Sequence, residues 1–190
     1  MKLTFIRHGE TDHNTKDVIQ GRTETEINEH GKSQAEAVGK LAAEKMAADK
    51  QAGQTTFSQI ICSPRLRAQQ TAGIINTHLN LPLEIWEEVG EIDFGSFANK
   101  SWTQVAEEAN NPNIKEEFRA MNFDLTPFQG ESKIQVQSRL QSAIEKLYKE
   151  YPNEHIIIVT HAPIIRMTFH LLKNESPFVI ENARMYEFEI

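Results

Sequence analysis

Short apolar runs recur along the chain and predict β-strands. Residues 1–6, Phe57–Cys62 and His155–Thr160 are apolar with little alternation, which is typical of strands that are buried on both faces. Residues 83–87 form a shorter candidate strand, and residues 185–190 alternate between apolar and polar side chains, as an edge strand does. The pattern therefore predicts a sheet with a buried centre.

The segments between the first strands carry helical signals. Residues 31 to about 52 are rich in alanine, glutamate, lysine and glutamine, and their apolar positions recur near helical spacing. Ser63 followed by Pro64 is a favourable start for a second helix, with serine as the N-cap and proline at the first position. We expect that helix to run from residue 65 to about residue 79.

Two further helices are predicted in the second half of the chain. Ser132 and Gln135 have the spacing of a capping box ahead of an amphipathic helix, which ends before Pro152. Pro163 lies early in the last helix, which we expect to reach about residue 172. Because strands and helices alternate along the chain, the predicted fold class is α/β with a mostly parallel sheet.

Two stretches have no sustained pattern. Residues 14–28 are polar and are predicted as an ordered loop. Residues 91–131 are the least regular part, and they contain Trp102 and half of the ten phenylalanines. We expect these rings to form a small core of that segment, and contact with an apolar or aromatic alcohol is the alternative. The five phenylalanines are Phe94, Phe97, Phe118, Phe123 and Phe128.

Composition and charge limit the class of protein. The 190 residues suit one domain, and 39% hydrophobic with 25% charged residues is ordinary for a globular chain. No apolar run approaches the ~18 residues of a membrane span, and residues 1–6 lack the features of a secretory signal. The single cysteine, Cys62, cannot form an internal disulfide, so we expect a cytoplasmic location. A net charge of −7 argues against nonspecific nucleic-acid binding.

Residues that can bind an anion follow three of the predicted strands. The first strand ends at Arg7 and His8, the second leads into a helix that carries Arg65 and Arg67, and His155–Thr160 is followed by His161. If these strands are parallel neighbours, their carboxyl ends share one edge of the sheet, where ligands bind. Helix N-termini at that edge would add N–H groups and partial positive charge. The pattern predicts a phosphate site.

Other interpretations of these residues are open. Arg7 and His8 could be ordinary loop residues, or the two histidines could be zinc ligands. The positive charge of an arginine near each histidine would repel a divalent metal ion. No third histidine or carboxylate lies at the fixed spacing of a zinc site, so we expect no metal. Helical spacing separates Arg65 from Arg67 by about 200°. We therefore expect Arg67 at the phosphate and Arg65 on a helix face or at the rim.

Phosphoryl transfer without a metal needs a nucleophile, fixed cations and a general acid. A neutral imidazole can attack phosphorus if its other nitrogen donates to a carbonyl group. His8 is the better candidate, since Gly9 lets the backbone turn sharply and approach a ligand closely. His161 would then donate to the phosphoryl oxygens. The general acid calls for a carboxyl group whose pKa is raised.

Several motifs, in this order along the chain, resemble those of the histidine phosphatase superfamily, in its phosphoglycerate mutase-like branch. They are Arg7-His8-Gly9-Glu10-Thr11 with Asn14, residues 63–72 (SPRLRAQQTA), residues 90–95 (GEIDFG), residues 130–132 (GES) and residues 159–162 (VTHA). Together they cover essentially the whole chain and are highly specific. The resemblance implies a three-layer α/β/α fold and one domain over residues 1–190, with residues 91–131 inserted as a subdomain that covers the substrate.

The resemblance also implies roles for individual residues at the phosphate. His8 matches the nucleophile that becomes phosphorylated. Arg7 and Arg67 match the arginines of the phosphate pocket, and His161 matches its second histidine. No metal and no cofactor are implied.

Four further positions match the acid/base group and the substrate side of the site. Glu91 matches the acid/base glutamate, although on sequence alone it belongs to an acidic cluster with two neighbouring glutamates that would be solvated. Asn14, Gln20 and Gly21 match contacts to the substrate.

Comparison with the two activities of the superfamily favours hydrolysis. Residues 20–22 (QGR) resemble the Gln-Gly-Arg of small phosphatases. Residues 91–93 (EID) differ from the Glu-Arg-His with which this motif begins in mutases. The middle segment has Lys115 and Arg119 but no adjacent arginine pair for a second acidic group on a sugar acid. We expect a phosphomonoesterase for small phosphorylated metabolites. A bisphosphate-primed phosphoglycerate mutase and a phosphate-binding module without turnover are the alternatives, and the pattern predicts neither a particular substrate nor an oligomeric state.

Overall fold

The computed structural model describes residues 1–177 and 179–190, and within them the chain forms five strands and seven α-helices. The strands are β1 (Lys2–Arg7), β2 (Phe57–Cys62), β3 (Leu83–Ile85), β4 (His155–Thr160) and β5 (Met185–Glu189). The helices are α1 (Asp12–Thr15), α2 (Glu29–Gln51), α3 (Leu66–Leu79), α4 (Trp102–Glu108), α5 (Ile114–Arg119), α6 (Lys133–Glu150) and α7 (Ala162–Lys173). None of the helices in these residues is long and apolar enough to cross a membrane.

The five strands form one sheet in the order β3-β2-β4-β1-β5. The first four are parallel to one another, and β5 is antiparallel to β1 at the edge. Every residue of β4 is buried, as its unbroken apolar run predicts for the centre of a sheet covered on both faces. Arg7 stands opposite Thr160, and Cys62 stands opposite Val159, so the carboxyl ends of β1, β4 and β2 share one edge. The predicted mostly parallel sheet is confirmed.

Helices cover both faces of the sheet, because successive residues of a strand point to opposite sides. Ile156 and Ile158 of β4 belong to an apolar cluster with residues of α6 and α7. Ile157 and Val159 belong to a second cluster with residues of α2 and α3. The arrangement is the predicted three-layer α/β/α architecture.

Residues 91–131 pack on the second half of the chain through a third apolar cluster. Phe94, Phe97 and Phe118 are buried in it together with Leu140 of α6 and Ile164 of α7. The core role predicted for these rings is confirmed, and the segment also contains α4 and α5, which its irregular pattern did not reveal.

Two local predictions were wrong. Helix α3 begins at Leu66 with Arg65 as its N-cap residue, so Ser63 does not cap it. The Ser63 hydroxyl instead accepts from the main-chain N–H of Arg65 and lies 2.7 Å from Nε2 of His161. Residues 14 and 15 belong to α1 rather than to a loop, because Thr11 and Asn14 form a capping box over a helix too short to show periodicity.

The loop after β1 and the start of α2 approach each other closely. A Cβ atom on Gly9 would lie 2.5 Å from the carbonyl oxygen of Gly31, and one on Gly31 would lie 2.2 Å from the carbonyl oxygen of Glu10. The close approach predicted at Gly9 is thus to the backbone of α2.

Substitution of Gly9 tests this contact. We expect Gly9→Ala to lower the free energy of unfolding by about 1–3 kcal/mol, because the backbone of α2 would have to move. Gly73→Ala is the matched control, since Gly73 lies in α3 with no atom within 4 Å of the added Cβ. Urea denaturation measures both, and equal stability of the two variants would contradict the proposed contact.

Candidate active site

A cleft of about 360 Å³ opens at the shared carboxyl edge of β1, β4 and β2. Six of the predicted site residues line it: Arg7, His8, Asn14, Gln20, Gly21 and Glu91. Arg67 and His161 are fully buried behind this surface, and each lies within 3.5 Å of the Glu91 carboxyl group. The structure therefore brings all eight predicted residues to one place.

His8 is held directly after β1 with a defined tautomer. Its main-chain N–H donates to the Thr160 carbonyl at 2.9 Å, and its own carbonyl accepts from the Asn182 amide at 2.8 Å. Nδ1 lies 2.7 Å from the carbonyl oxygen of Gly9. Because a carbonyl oxygen only accepts, Nδ1 carries the proton and Nε2 keeps a lone pair.

The surroundings of His8 keep its ring neutral. Burial lowers the pKa of His8 well below its ordinary value of 6.5, and the positive charges of Arg67 and Arg7 lower it further. A neutral imidazole with a free lone pair on Nε2 is the form that can attack phosphorus.

Arg67 projects from α3 and is held by the loop that follows α1. Its Nη2 donates to the Gly21 carbonyl at 2.8 Å, and its Nη1 donates to the Thr23 carbonyl at 3.0 Å. Gly21 has a φ of 52°, a conformation that glycine adopts without strain. These bonds fix the guanidinium although it is fully buried.

Arg7 is anchored from the opposite side of the cleft. Its Nη1 donates to the Ile180 carbonyl at 2.7 Å. Burial lowers the pKa of Arg7 to about 10, so its guanidinium stays charged at neutral pH.

His161 follows β4 and lies beside His8, with 5.3 Å between the ring centroids. Its Nδ1 is 3.4 Å from Oε2 of Glu91. Burial lowers the pKa of His161 well below 6.5, and the charge of Arg67 adds to the effect. His161 is therefore neutral.

Three buried nitrogens of this site have no hydrogen-bond partner among the described residues. They are Nε of Arg7, Nε of Arg67 and Nδ1 of His161. A buried N–H group without a partner costs about 1–3 kcal/mol, and the oxygens of an anion would supply the missing acceptors. These nitrogens, with two arginine charges beside a neutral histidine, suit a phosphoryl group.

Glu91 is buried in the cleft wall, with 8% of its surface exposed. Its Oε1 accepts from the main-chain N–H of Ile92 at 2.9 Å, and its Oε2 lies 3.5 Å from Nη2 of Arg67. Burial raises the pKa of Glu91 above 4.5, although Arg67 opposes this shift. The interpretation of Glu91 as one of several solvated glutamates does not fit these surroundings.

Arg139 of α6, which the sequence did not single out, supports the backbone around Glu91. Its Nη1 donates to the carbonyls of Glu88 and Gly90 at 2.8 and 2.9 Å. Its Nε donates to the Glu131 carboxylate at 2.9 Å. Nothing in the local pattern distinguished Arg139 from the other polar residues of an amphipathic helix.

Arg65 lies at the rim, outside the residues that line the cleft. Its Nη1 donates to the Glu24 carboxylate at 2.7 Å and to the Arg22 carbonyl at 3.0 Å.

On the substrate side, the side-chain oxygen of Gln20 accepts from the hydroxyls of Thr11 and Thr25 at 3.0 and 2.5 Å. In residues 1–177 and 179–190, no three His, Cys, Asp or Glu side chains are grouped so that they could hold a metal ion.

Thr71 links α3 to the loop that carries the nucleophile. Its hydroxyl accepts from the main-chain N–H of Gly9 at 2.9 Å and donates to the Arg67 carbonyl at 2.7 Å. Thr71 lies in one of the motifs, but the motif predicts no role for it.

Removal of the Thr71 hydroxyl tests this link. We expect Thr71→Val to lower the free energy of unfolding by about 1–3 kcal/mol, because the buried N–H of Gly9 loses its acceptor. Displacement of the neighbouring His8 should also lower kcat by roughly tenfold. Thr71→Ser keeps the hydroxyl and should retain both values in urea denaturation and turnover assays. Wild-type stability and kcat in Thr71→Val would show that the link is dispensable.

Comparison with known proteins identifies the family of the chain. The family model of the histidine phosphatase superfamily (branch 1) matches residues 3–189. A protein of Arabidopsis thaliana named metal-independent phosphoserine phosphatase is 30% identical over 171 residues, which cover 88% of this chain and 67% of that protein. A protein of Bacillus subtilis (strain 168) named uncharacterized phosphatase PhoE is 28% identical over 163 residues, covering 86% of this chain and 72% of that protein.

Solved structures share the fold. The mycobacterial glucosyl-3-phosphoglycerate phosphatase Rv2419c superposes with a TM-score of 0.83 at 22% identity, over 98% of this chain and 90% of that one. YhfR of Bacillus stearothermophilus superposes with a TM-score of 0.82 at 22% identity, over 100% and 91%. This likeness confirms the predicted phosphoglycerate mutase-like fold.

The family match and the phosphatase names of the sequence relatives support the predicted class of enzyme, a phosphoric monoester hydrolase. The chain belongs to the histidine phosphatase superfamily, branch 1.

Proposed function

We propose that the chain hydrolyses phosphomonoesters of small metabolites through a phosphohistidine at His8, without a metal ion. The observation that carries the proposal is the 2.7 Å bond from Nδ1 of His8 to the Gly9 carbonyl, which leaves the Nε2 lone pair for attack. In the first step Nε2 bonds to phosphorus while the bond from phosphorus to the ester oxygen breaks. Glu91 gives its proton to the departing alcohol.

In the second step, water replaces the alcohol. The Glu91 carboxylate takes a proton from the water, the water oxygen bonds to phosphorus, and the bond from phosphorus to Nε2 breaks. Inorganic phosphate leaves, Glu91 is protonated again, and His8 recovers its lone pair. The raised pKa of Glu91 supports both roles, because a carboxyl group that holds its proton can donate it.

The charge on the transferred phosphoryl group is balanced by Arg7 and Arg67, and the neutral ring of His161 donates a hydrogen bond to a phosphoryl oxygen. Ser63 sets the orientation of His161, because its hydroxyl accepts from the N–H of Arg65 and can donate its own proton to Nε2 of His161. The ring proton of His161 is then on Nδ1, the nitrogen without a hydrogen-bond partner. Each group is fixed by the protein before substrate binds, which is the basis of electrostatic catalysis.

The proposed substrate side consists of Asn14, Gln20, Gly21 and the segment 91–131. Phe94, Trp102 and Phe118 of that segment line the cleft as well as packing in or against its own core. We propose that the segment covers the substrate within one domain over residues 1–190. The cytoplasmic location expected from the single cysteine stays a prediction.

An assay in excess chelator tests the proposed function. The purified protein is incubated with an aryl phosphate and, separately, with 3-phosphoglycerate. The proposal predicts release of inorganic phosphate that survives the chelator. Formation of the isomeric phosphoglycerate without phosphate release would indicate a mutase, and phosphate binding without any turnover would indicate a binding module.

A further inference from the structure

Glu91 stands in a stretch of chain without regular secondary structure. The stretch runs between two short 3₁₀ turns, Glu87–Val89 and Gly95–Phe97. Neither a strand nor an α-helix therefore holds the main chain on the two sides of the carboxyl group. A general acid has to stay within hydrogen-bond reach of the oxygen that it protonates, about 2.6–3.2 Å. The position of Glu91 must accordingly be set by contacts from other parts of the fold.

Arg139 of α6 supplies such contacts. Its Nη1 donates to the carbonyls of Glu88 and Gly90 at 2.8 and 2.9 Å, and its Nη2 donates to the carbonyl of Glu91 itself at 3.3 Å. Its Nε and Nη2 also donate to the two carboxylate oxygens of Glu131, at 2.9 and 3.2 Å. A guanidinium group has five N–H donors, and these bonds use all of them.

Glu131 holds the chain on the other side of Glu91. Its Oε2 accepts from the main-chain N–H of Asp93 at 2.8 Å, and its own main-chain N–H donates to the Asp93 carbonyl at 2.8 Å. The side chains of Arg139 and Glu131 are only 18% and 14% exposed, so water competes little for their two-pronged ion pair. We name the pair, with its bonds to residues 88–93, the Glu91 clamp.

The Glu91 clamp lies behind the cleft rather than in it. Neither Arg139 nor Glu131 is among the residues that line the cleft, and the donors of Arg139 are already engaged. The guanidinium acts on Glu91 in a second way, because its positive charge lowers the pKa of Glu91 and so opposes the increase that burial causes. Arg139 thus bears on both the place and the proton affinity of Glu91 without touching the reacting atoms.

We propose that Arg139 is a positioning residue for the acid/base step, which acts through Glu91 and has Glu131 as its partner. The proposal rests on the proposed function, because it requires Glu91 to be the general acid. It adds a residue from α6, a helix that carries none of the eight predicted site residues.

Two matched esters test the proposal. Benzyl phosphate and p-nitrophenyl phosphate each carry one aromatic ring, but only the benzyl oxygen needs a proton to depart. We expect Arg139→Gln to lower kcat/KM for benzyl phosphate by roughly 10- to 100-fold, because a displaced acid donates poorly. For p-nitrophenyl phosphate we expect a loss of about threefold or less. The ratio of the two values, measured in one preparation, is independent of the folded fraction.

Lys149→Gln is the matched control for Arg139→Gln. Lys149 is an exposed cation of the same helix and lies outside the cleft lining. Its substitution should leave the ratio of kcat/KM for the two esters at the wild-type value. Circular dichroism and urea denaturation show whether each variant is folded.

A double variant shows whether Arg139 acts through Glu91. When Glu91→Gln is already present, Arg139→Gln should change the ratio by less than about twofold, because the acid that the clamp positions is missing. An equal loss of the ratio with and without Glu91 would show that Arg139 acts independently of it, and would overturn the proposal.

Arg139→Lys separates the hydrogen bonds of the clamp from its charge, and it provides the test if Arg139→Gln does not fold. Lysine keeps the positive charge but cannot make the same fork of bonds. The ratio for Arg139→Lys should therefore still fall, by about threefold or more. A wild-type ratio in Arg139→Lys would contradict the proposed clamp.

The pH profile for benzyl phosphate reports the charge. Loss of a nearby positive charge raises the pKa of Glu91, so the decline of kcat/KM with rising pH should move to higher pH in Arg139→Gln and stay near the wild-type position in Arg139→Lys. An unmoved decline in a folded Arg139→Gln would contradict the effect on proton affinity. The other charged or titratable groups that interact with Glu91 are Arg67 of α3, Arg7 of β1, Arg166 of α7 and His161 after β4.

The failure of this proposal differs from the failure of the proposed function. If Glu91→Gln lowers the ratio but Arg139→Gln keeps it at the wild-type value, Arg139 is not a positioning residue and the proposed function stands. If Glu91→Gln keeps the ratio, or if the wild type releases phosphate from p-nitrophenyl phosphate alone or from neither ester, Glu91 is not the general acid and the proposed function fails.

Discussion

We expect His8→Ala to lower kcat for any phosphomonoester by about 10⁴-fold or more, because the variant lacks the proposed nucleophile. Of the other histidines at the cleft, His161 has its Nε2 held by Ser63 and its Nδ1 facing Glu91. His13 lies in the lining with its Nε2 3.3 Å from Oδ1 of Asn99. Water would have to attack the ester directly without the covalent step. Steady-state assays at saturating substrate measure the loss.

His30→Ala is the control for this substitution, since His30 is an exposed histidine of α2 outside the cleft lining. It should have the wild-type kcat. Urea denaturation shows whether His8→Ala is folded, because His8 is buried. A folded His8→Ala with undiminished kcat would overturn the assignment of the nucleophile.

Substitution of Glu91 has the second largest expected effect. We expect Glu91→Gln to lower kcat/KM for alkyl phosphates by about 10²–10⁴-fold, the usual contribution of a general acid. For p-nitrophenyl phosphate, whose leaving group departs without a proton, we expect a loss of roughly tenfold or less. The ratio kcat/KM is the quantity to compare, since it reports formation of the phosphoenzyme and excludes the later hydrolysis. Equal losses on both substrates would count against general-acid catalysis.

The same variant should also reveal the second step. Without a base to activate water, Glu91→Gln should release nitrophenol in a rapid burst that approaches one equivalent of enzyme and then turn over slowly. Stopped-flow absorbance measures the burst. A linear time course without a burst would mean that Glu91 does not act in hydrolysis of the phosphoenzyme.

The pH dependence of kcat/KM follows from the same two groups in the free enzyme. His8 must be neutral, and its lowered pKa keeps it neutral well below pH 6.5. Glu91 must be protonated, and its raised pKa extends this form above pH 4.5. Activity should therefore decline as pH rises through the pKa of Glu91. Dividing the wild-type profile by that of Glu91→Gln cancels the ionisation of the substrate, and a flat quotient would contradict the assignment of Glu91.

Much of the fold could be predicted because it depends on local signals. The apolar runs predicted the first and last residues of β2 and β4 as the structure has them. The capping box at Ser132 and Gln135 marks the start of α6. The predicted N-cap at Ser63 failed for a tertiary reason. Its hydroxyl contacts His161, which is distant in the chain, and therefore does not cap the helix as the local sequence predicts.

The site could be predicted only where its residues follow a strand or lie in a motif. His8 and His161 met both conditions, and the register of β1 against β4 places them side by side. Arg139, Arg166 and Asn182 reach the site from α6, α7 and the segment before β5. Their roles depend on tertiary packing rather than on their neighbours in the sequence, so no pattern identified them.

The covalent intermediate is the central claim, and rapid quenching of the wild type with a ³²P-labelled phosphomonoester tests it most directly. We predict that label appears on the protein within the first turnover, that it is lost in acid and stable in alkali, and that it maps to the peptide containing His8. His8→Ala should take up no label. Turnover in the wild type without any protein-bound label, or label on a peptide that lacks His8, would contradict the proposed mechanism.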